Sequence, residues 1–126
     1  MTSRAVLAYI ACPYSHPDEL IKRSRAKKVT ATAAHLFNQG IFAFSPITLN
    51  TSLIEAGAKA GWDAWLSYDL EILSRCDKLI VLKLPGWEHS AGVKAEIAHA
   101  KALGIPIEEM NPLEGSGSEN ANFLTN

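Results

Sequence analysis

The chain is short of everything that would mark an unusual environment. It has two cysteines, Cys12 and Cys76, too few for a disulfide framework and not at metal-ligand spacing. Both read as small buried hydrophobes. Neither sign of charge dominates, since 12 Lys and Arg face 13 Asp and Glu for a net charge of −1. That balance gives no electrostatic basis for binding nucleic acid or a membrane surface. No apolar run approaches the roughly 20 residues that span a bilayer. The opening Met1-Thr2-Ser3-Arg4 and the brief apolar run after it lack the length and cleavage pattern of a signal peptide. Internal repeats are absent. A cytoplasmic protein is expected.

What is present is a chain of 126 residues, 48% hydrophobic, enough for one domain with one core. Val6–Ala11 reads as a buried strand ended by Cys12-Pro13. Pro17 and Asp18 open a helix running to Asn38, with Gly40 as its stop and Ala26, Val29, Ala33, Leu36 and Phe37 facing inward. Ile41–Phe44 is a second strand, cut off by Ser45-Pro46. Ile47 to Gly61 reads as a long connection, of a length that is usually functional or mobile. Trp62–Cys76 is the clearest helix, and Lys78–Leu84 a third strand ended by Pro85-Gly86. A helix from Ser90–Gly92 to Leu103, capped by Gly104, leads to a last short strand opening at Ile105-Pro106-Ile107. Strand and helix alternate, which predicts an α/β fold: a Rossmann-like three-layer sandwich on a parallel sheet of four to five strands. The domain is expected over residues 1–110. From Asn111 the chain turns small and polar, and 111–126 reads as a flexible tail.

Two carboxylates break this pattern. Asp69 lies at the centre of the stripe Trp62, Trp65, Leu66, Ile72, Leu73 and Cys76. Glu96 falls within the arc of its own helix that also holds Val93, Ile97, Ala100 and Leu103. A carboxylate aimed at a core costs several kcal/mol unless it is paired or hydrogen-bonded. Asp69 is therefore either a structural acid, capping a backbone group or pairing with an Arg, or a functional one. Glu96 either reaches solvent at the edge of its arc or serves as a nucleophile or base, its place early in the helix favouring the ionised form. Ligands bind outside the carboxyl ends of strands in a parallel sheet. The loop after Ile10, the loop after Leu82 and the turn at Ser90–Gly92 should converge there. Around that edge lie Tyr9, Tyr14, Ser15, His16, Ser45, Thr48, Asn50, Trp87, His89 and Ser90. A buried Tyr9 hydroxyl needs a partner, and Glu96 is one candidate. Trp87 or Tyr14 offers a ring on which a planar base can stack, and His89 a group that titrates near neutrality. Lys22, Arg23, Arg25, Lys27 and Lys28 circle their helix as a solvated face, with Lys22 and Arg23 best placed to meet a phosphate.

Three segments carry a resemblance: Tyr9-Ile10-Ala11-Cys12-Pro13-Tyr14, Trp65-Leu66-Ser67-Tyr68-Asp69-Leu70 through Asp77, and Gly86-Trp87-Glu88-His89-Ser90-Ala91-Gly92-Val93-Lys94-Ala95-Glu96. In order and spacing, from Val6 to Ile107, the chain resembles the nucleoside 2-deoxyribosyltransferase-like superfamily. It is most like that group's small, uncharacterised bacterial and phage branch, related to the deoxynucleotide N-glycoside hydrolases. The resemblance implies Glu96 as the nucleophile at C1′ of the sugar, Asp69 as the acid that protonates or orients the leaving base, and Tyr9 as the residue that holds the Glu. Tyr14, Ser15, Ser45, Trp87, Ser90 and Gly92 are the expected substrate-binding set. The resemblance also implies a homodimer or larger homo-oligomer whose neighbouring subunit often completes the site. No cofactor or metal is implied. The transferases carry an acid where this chain has Ser90. The nucleotide hydrolases carry Ser there, facing a 5′-phosphate, although the Ser and Arg they use after the first strand are Pro13 and Ser15 here.

The expected function is that of an N-glycosidase or N-deoxyribosyltransferase acting on a nucleotide or nucleoside. The alternatives are a non-catalytic nucleotide-binding or sensing module, and a structural domain in which both acids serve the fold.

Overall fold

The structure is a computed structural model and describes residues 5–113. Its centre is a four-stranded, all-parallel sheet: β1 (Leu7–Ala11), β2 (Phe42–Phe44), β3 (Lys78–Leu82) and β4 (Ile107–Met110), in the order β2-β1-β3-β4. The chain leaves β1 toward one edge and β3 toward the other, so the reversal of strand order falls between those two strands. Tyr9 pairs in register with Leu79 and Ile10 with Ile80.

Alternation along the central strands splits the core in two. Ala8, Ile10, Cys12, Ile80 and Leu82 face Val29 and Leu36 of α1 (Glu19–Asn38). Tyr9, Ala11, Leu79 and Val81 face Leu73 of α3 (Trp62–Leu73) and Val93 and Ala100 of α4 (Ala91–Leu103). These strands are buried on both faces, as a parallel sheet covered on each side requires. Each fully buried Leu, Ile or Val contributes about 1.5–3 kcal/mol. Asp77 ties the start of β1 to β3: Leu7 N–H donates to its carboxylate at 2.8 Å, and Leu7 C=O accepts from its amide at 2.7 Å.

The expected long connection is not a loop. Pro46–Glu55 forms a helix, α2, lying against α1 and β1. Ser45 caps it by accepting from Thr48 N–H at 3.2 Å, and Pro46 fills the first turn, where its missing N–H costs nothing. The Ser-Pro pair that reads as a strand breaker is therefore a helix start. Smaller corrections concern ends. The helix expected to reach Cys76 stops at Leu73, the third strand stops at Leu82, and the last strand begins at Ile107.

Phe37 and Leu103, expected to face inward, are 68% and 51% exposed. Both sit in the last turn of helices that outrun the sheet. The 20 residues of α1 extend about 30 Å, against about 17 Å for a five-residue strand. No helix among the described residues is long and apolar enough to cross a membrane. Beyond residue 113, the tail expected from Asn111 lies outside the described residues.

Candidate functional site

The reversal of strand order opens a cleft of about 490 Å³ at the carboxyl end of the sheet, between α2, α3 and the start of α4. This is the size range of ligand pockets, roughly 300–1,000 Å³. Its polar side chains include Glu96, Asp69, Asn50, Thr51, His89 and Ser90; much of the rest is apolar, including Ile47, Ile54, Trp62 and Trp65.

Glu96 sits at the floor, 6% exposed, on the second turn of α4. Gly86, at φ +92°, and a single 3-10 turn (Trp87–His89) carry the chain from Leu84 into the helix. Ser90 caps α4 by accepting from Val93 N–H at 3.2 Å. Gly92 has room for a Cβ, whose nearest neighbour would be Ser90 Oγ at 3.9 Å, so it keeps the cleft open rather than relieving a clash. Tyr9, fully buried on β1, donates its hydroxyl to Glu96 Oε2 at 2.5 Å. No hydrogen bond occupies Oε1 among the described residues.

Burial decides the electrostatics here. It pushes the Glu96 carboxyl up to about 8, with the Asp69 charge adding to the rise and the Tyr9 hydrogen bond opposing it. The position early in the helix, which on sequence grounds favours the ionised form, is thus outweighed by desolvation. The same burial, with the Glu96 charge beside it, raises the Tyr9 phenol far above its usual range, so Tyr9 stays a donor. Cys12 also lines the cleft, and burial next to Glu96 pushes its thiol up to about 12, against the pull of Arg25. It is a protonated, unreactive wall residue.

Asp69 enters from α3, half-buried, and its carboxyl is raised by desolvation. Asn50 of α2 opposes that rise by donating Nδ2–H to Asp69 Oδ1 at 2.9 Å. The Asn50 carbonyl oxygen is buried and has no hydrogen-bond partner. An orphaned buried acceptor costs about 1–3 kcal/mol.

The structure brings Tyr14, Ser15, Ser90 and Gly92 to the cleft with the two acids. Tyr9 meets it through Glu96. Trp87 is half-buried and packs on the core under α3 and α4, and Ser45 is buried as the α2 cap; neither lines the cleft. Beside Tyr14, the aromatic surface there comes from Trp62 and Trp65. Among the basic residues, Arg25 is not a solvated charge: it donates to the carbonyls of Tyr14, Ser15 and Pro85 and so ties together the loops after β1 and β3. Lys22 pairs with Glu19 at 2.9 Å and lies 5.7 Å from the Tyr14 ring centroid. Sequence reasoning read Trp62 and Trp65 as core because they continue the stripe of Leu73. A loop over residues 47–61 has no wall facing α3, so the cleft that these rings line has no counterpart in the sequence pattern.

Residues 6–112 match the family described as "Domain of unknown function (DUF1937)", and the chain belongs to that family. No curated protein matches the chain.

Proposed function

For this member of the DUF1937 family, we propose that the cleft cleaves the N-glycosidic bond of a nucleotide or nucleoside, with Glu96 as nucleophile and Asp69 as acid. The observation that carries this reading is the pairing of two carboxyls at one ligand-sized cleft, one held by a buried tyrosine and the other by an amide. The resemblance of the segments around Tyr9, Asp69 and Glu96 to nucleoside 2-deoxyribosyltransferase-like proteins supports the same assignment.

The chemistry follows that of two-carboxylate glycoside hydrolysis. Oε1 of ionised Glu96 attacks C1′. The C1′–N bond breaks, its electron pair goes to the base, and the proton of Asp69 neutralises the base as it leaves. Positive charge developing at C1′ is stabilised by the adjacent carboxylate. Water then attacks C1′ and gives its proton to Asp69, and Glu96 departs as the carboxylate. A second base in place of water gives transfer. The active state has Glu96 ionised and Asp69 neutral. The Tyr9 hydrogen bond favours that distribution by stabilising the Glu96 anion.

A second reading is a non-catalytic binding module in the same cleft. It is favoured by the proton that burial keeps on Glu96 near neutrality. A chromatographic screen for free base, run over ribo- and deoxyribonucleosides and their 5′-phosphates beside Glu96→Gln, separates the two. An enzyme releases base and accumulates sugar or sugar phosphate. A sensor gives a thermal shift and leaves the ligand intact. Assembly into a homodimer or larger oligomer belongs to the same proposal, and sedimentation of the purified protein tests it.

A further inference from the structure

The mechanism above uses Asp69 and Glu96; among the groups of the cleft that it leaves without work are Trp62, Trp65 and the carbonyl of Asn50. Trp62 is 53% exposed, a large aromatic surface left to solvent at the cleft wall. Trp65 lines the wall one turn on, its ring held edge-on to Tyr68 with centroids 6.1 Å apart. Flat apolar surface of this kind suits a heteroaromatic ring, which stacks on Trp whatever its substituents. Asn50 stands beside the acid and is oriented by it: Nδ2 is committed to Asp69 Oδ1, which leaves Oδ1 of the amide as an acceptor with nothing to accept.

We propose that the base occupies the α2–α3 half of the cleft, stacked on Trp62 and Trp65, and that Asn50 Oδ1 selects a base with an exocyclic amino group beside the ring nitrogen that faces Asp69. This rests on the reading of the cleft as a nucleotide or nucleoside site. The selection follows from donor and acceptor order. Neutral Asp69 offers an O–H and Asn50 offers an oxygen. The edge of a 6-aminopurine has the complementary pair, an accepting N7 next to a donating amino group, whereas a 6-oxopurine presents two acceptors. An oxo group would put oxygen against oxygen and leave both unpaired. The 4-aminopyrimidine edge, with its amino group next to N3, satisfies the same pair and its 4-oxo counterpart does not. Asn50 Oδ1 is buried, so contact requires a modest turn of the amide about its terminal torsion, which is broad.

The test is a matched pair differing in the C6 group, amino or oxo, and the N1 proton that accompanies the oxo form: 2′-deoxyadenosine and 2′-deoxyinosine 5′-monophosphates, titrated into the Glu96→Gln protein with tryptophan fluorescence as readout. The amino ligand is expected to bind at least about tenfold more tightly than the oxo ligand and to quench the emission of Trp62 and Trp65. Asn50→Leu should shrink that ratio to about twofold or less. Trp62→Leu should weaken both ligands and leave the ratio in place. Equal or tighter binding of the oxo ligand overturns the inference, as does failure of both to bind. Should Asn50→Leu not fold, the ratio in the parent protein still decides. Preferential binding without base release from wild type would keep this inference and sink the glycosidase reading. Base release without preference would do the reverse.

Discussion

The phenol oxygen of Tyr9 lies 2.5 Å from Oε2 of Glu96, and that contact joins the first strand to a helix 87 residues further on. It is the sole hydrogen bond that Glu96's side chain makes among the described residues, so it sets how readily the carboxyl ionises. Tyr9→Phe removes a hydrogen bond that favours the anion, which moves the Glu96 carboxyl further up. The rising limb of kcat/KM against pH is expected to shift to higher pH. The lost partner should cost about 1–3 kcal/mol in denaturant unfolding. An unmoved limb would show that Tyr9 does not tune Glu96.

Asp69→Asn is expected to act in the opposite direction on the same limb. The Asp69 charge raises the Glu96 carboxyl, so its removal lets Glu96 ionise at lower pH. Turnover should nevertheless fall by about 10²–10⁴-fold, the usual worth of a positioned general acid. The pH profile and the rate at its plateau together distinguish this from mere loss of folded protein.

Stability should carry the same signature without any substrate. The Glu96 carboxyl stands at about 8 in the folded chain, against an ordinary 4.5. Below 4.5 both states hold the proton. Between those values the unfolded chain releases it and the folded chain does not, so stability is lost as pH rises, at about 1.4 kcal/mol per pH unit. Above the folded value the loss is complete. Melting curves of wild type and Glu96→Gln, measured from pH 5 to 8, should therefore diverge, with the variant gaining on the wild type as pH rises. Parallel curves would contradict the burial of this carboxyl.

Arg25→Met should loosen the site from outside. Three backbone carbonyls lose their donor, and the loops after β1 and β3 lose their tie. The expected result is a raised KM with a smaller change in kcat, and faster proteolysis near residues 13–17 and 84–90. Gly86 belongs to the same knot: its φ is +92°, and a Cβ there would meet the Arg25 guanidinium at 3.0 Å. Gly86→Ala should cost at least the roughly 1–2 kcal/mol of a left-handed backbone.

Much of this architecture is legible in the residues. Val6–Ala11 and Lys78–Leu84 are continuous apolar runs, and runs of that kind belong to strands covered on both faces. The Pro17-Asp18 start, the Ser90 cap and the Gly104 stop, whose φ is +72°, mark helix ends by chemistry alone. Glu96 stood out because a carboxylate in an apolar arc needs a reason. The α2 helix did not stand out: Ile47, Thr48 and Thr51 are β-branched, with weak helix propensity, and tertiary contact with α1 and β1 outweighs it. That helix forms the cleft wall, so the place of Trp62 and Trp65 along the cleft is not legible without it. Arg25 was illegible for another reason. Its partners are backbone carbonyls brought near by the fold, and a carbonyl leaves no mark in a sequence.

A covalent bond between Glu96 and C1′ of a sugar is the step on which the proposed chemistry depends. Protein incubated with a nucleotide that releases base, quenched rapidly in acid and mapped by peptide mass, should carry the mass of one glycosyl group on the peptide containing Glu96. Glu96→Gln should carry none and should turn over on the order of a thousandfold more slowly. Base released with no adduct from wild type, and at the full rate from Glu96→Gln, would contradict it.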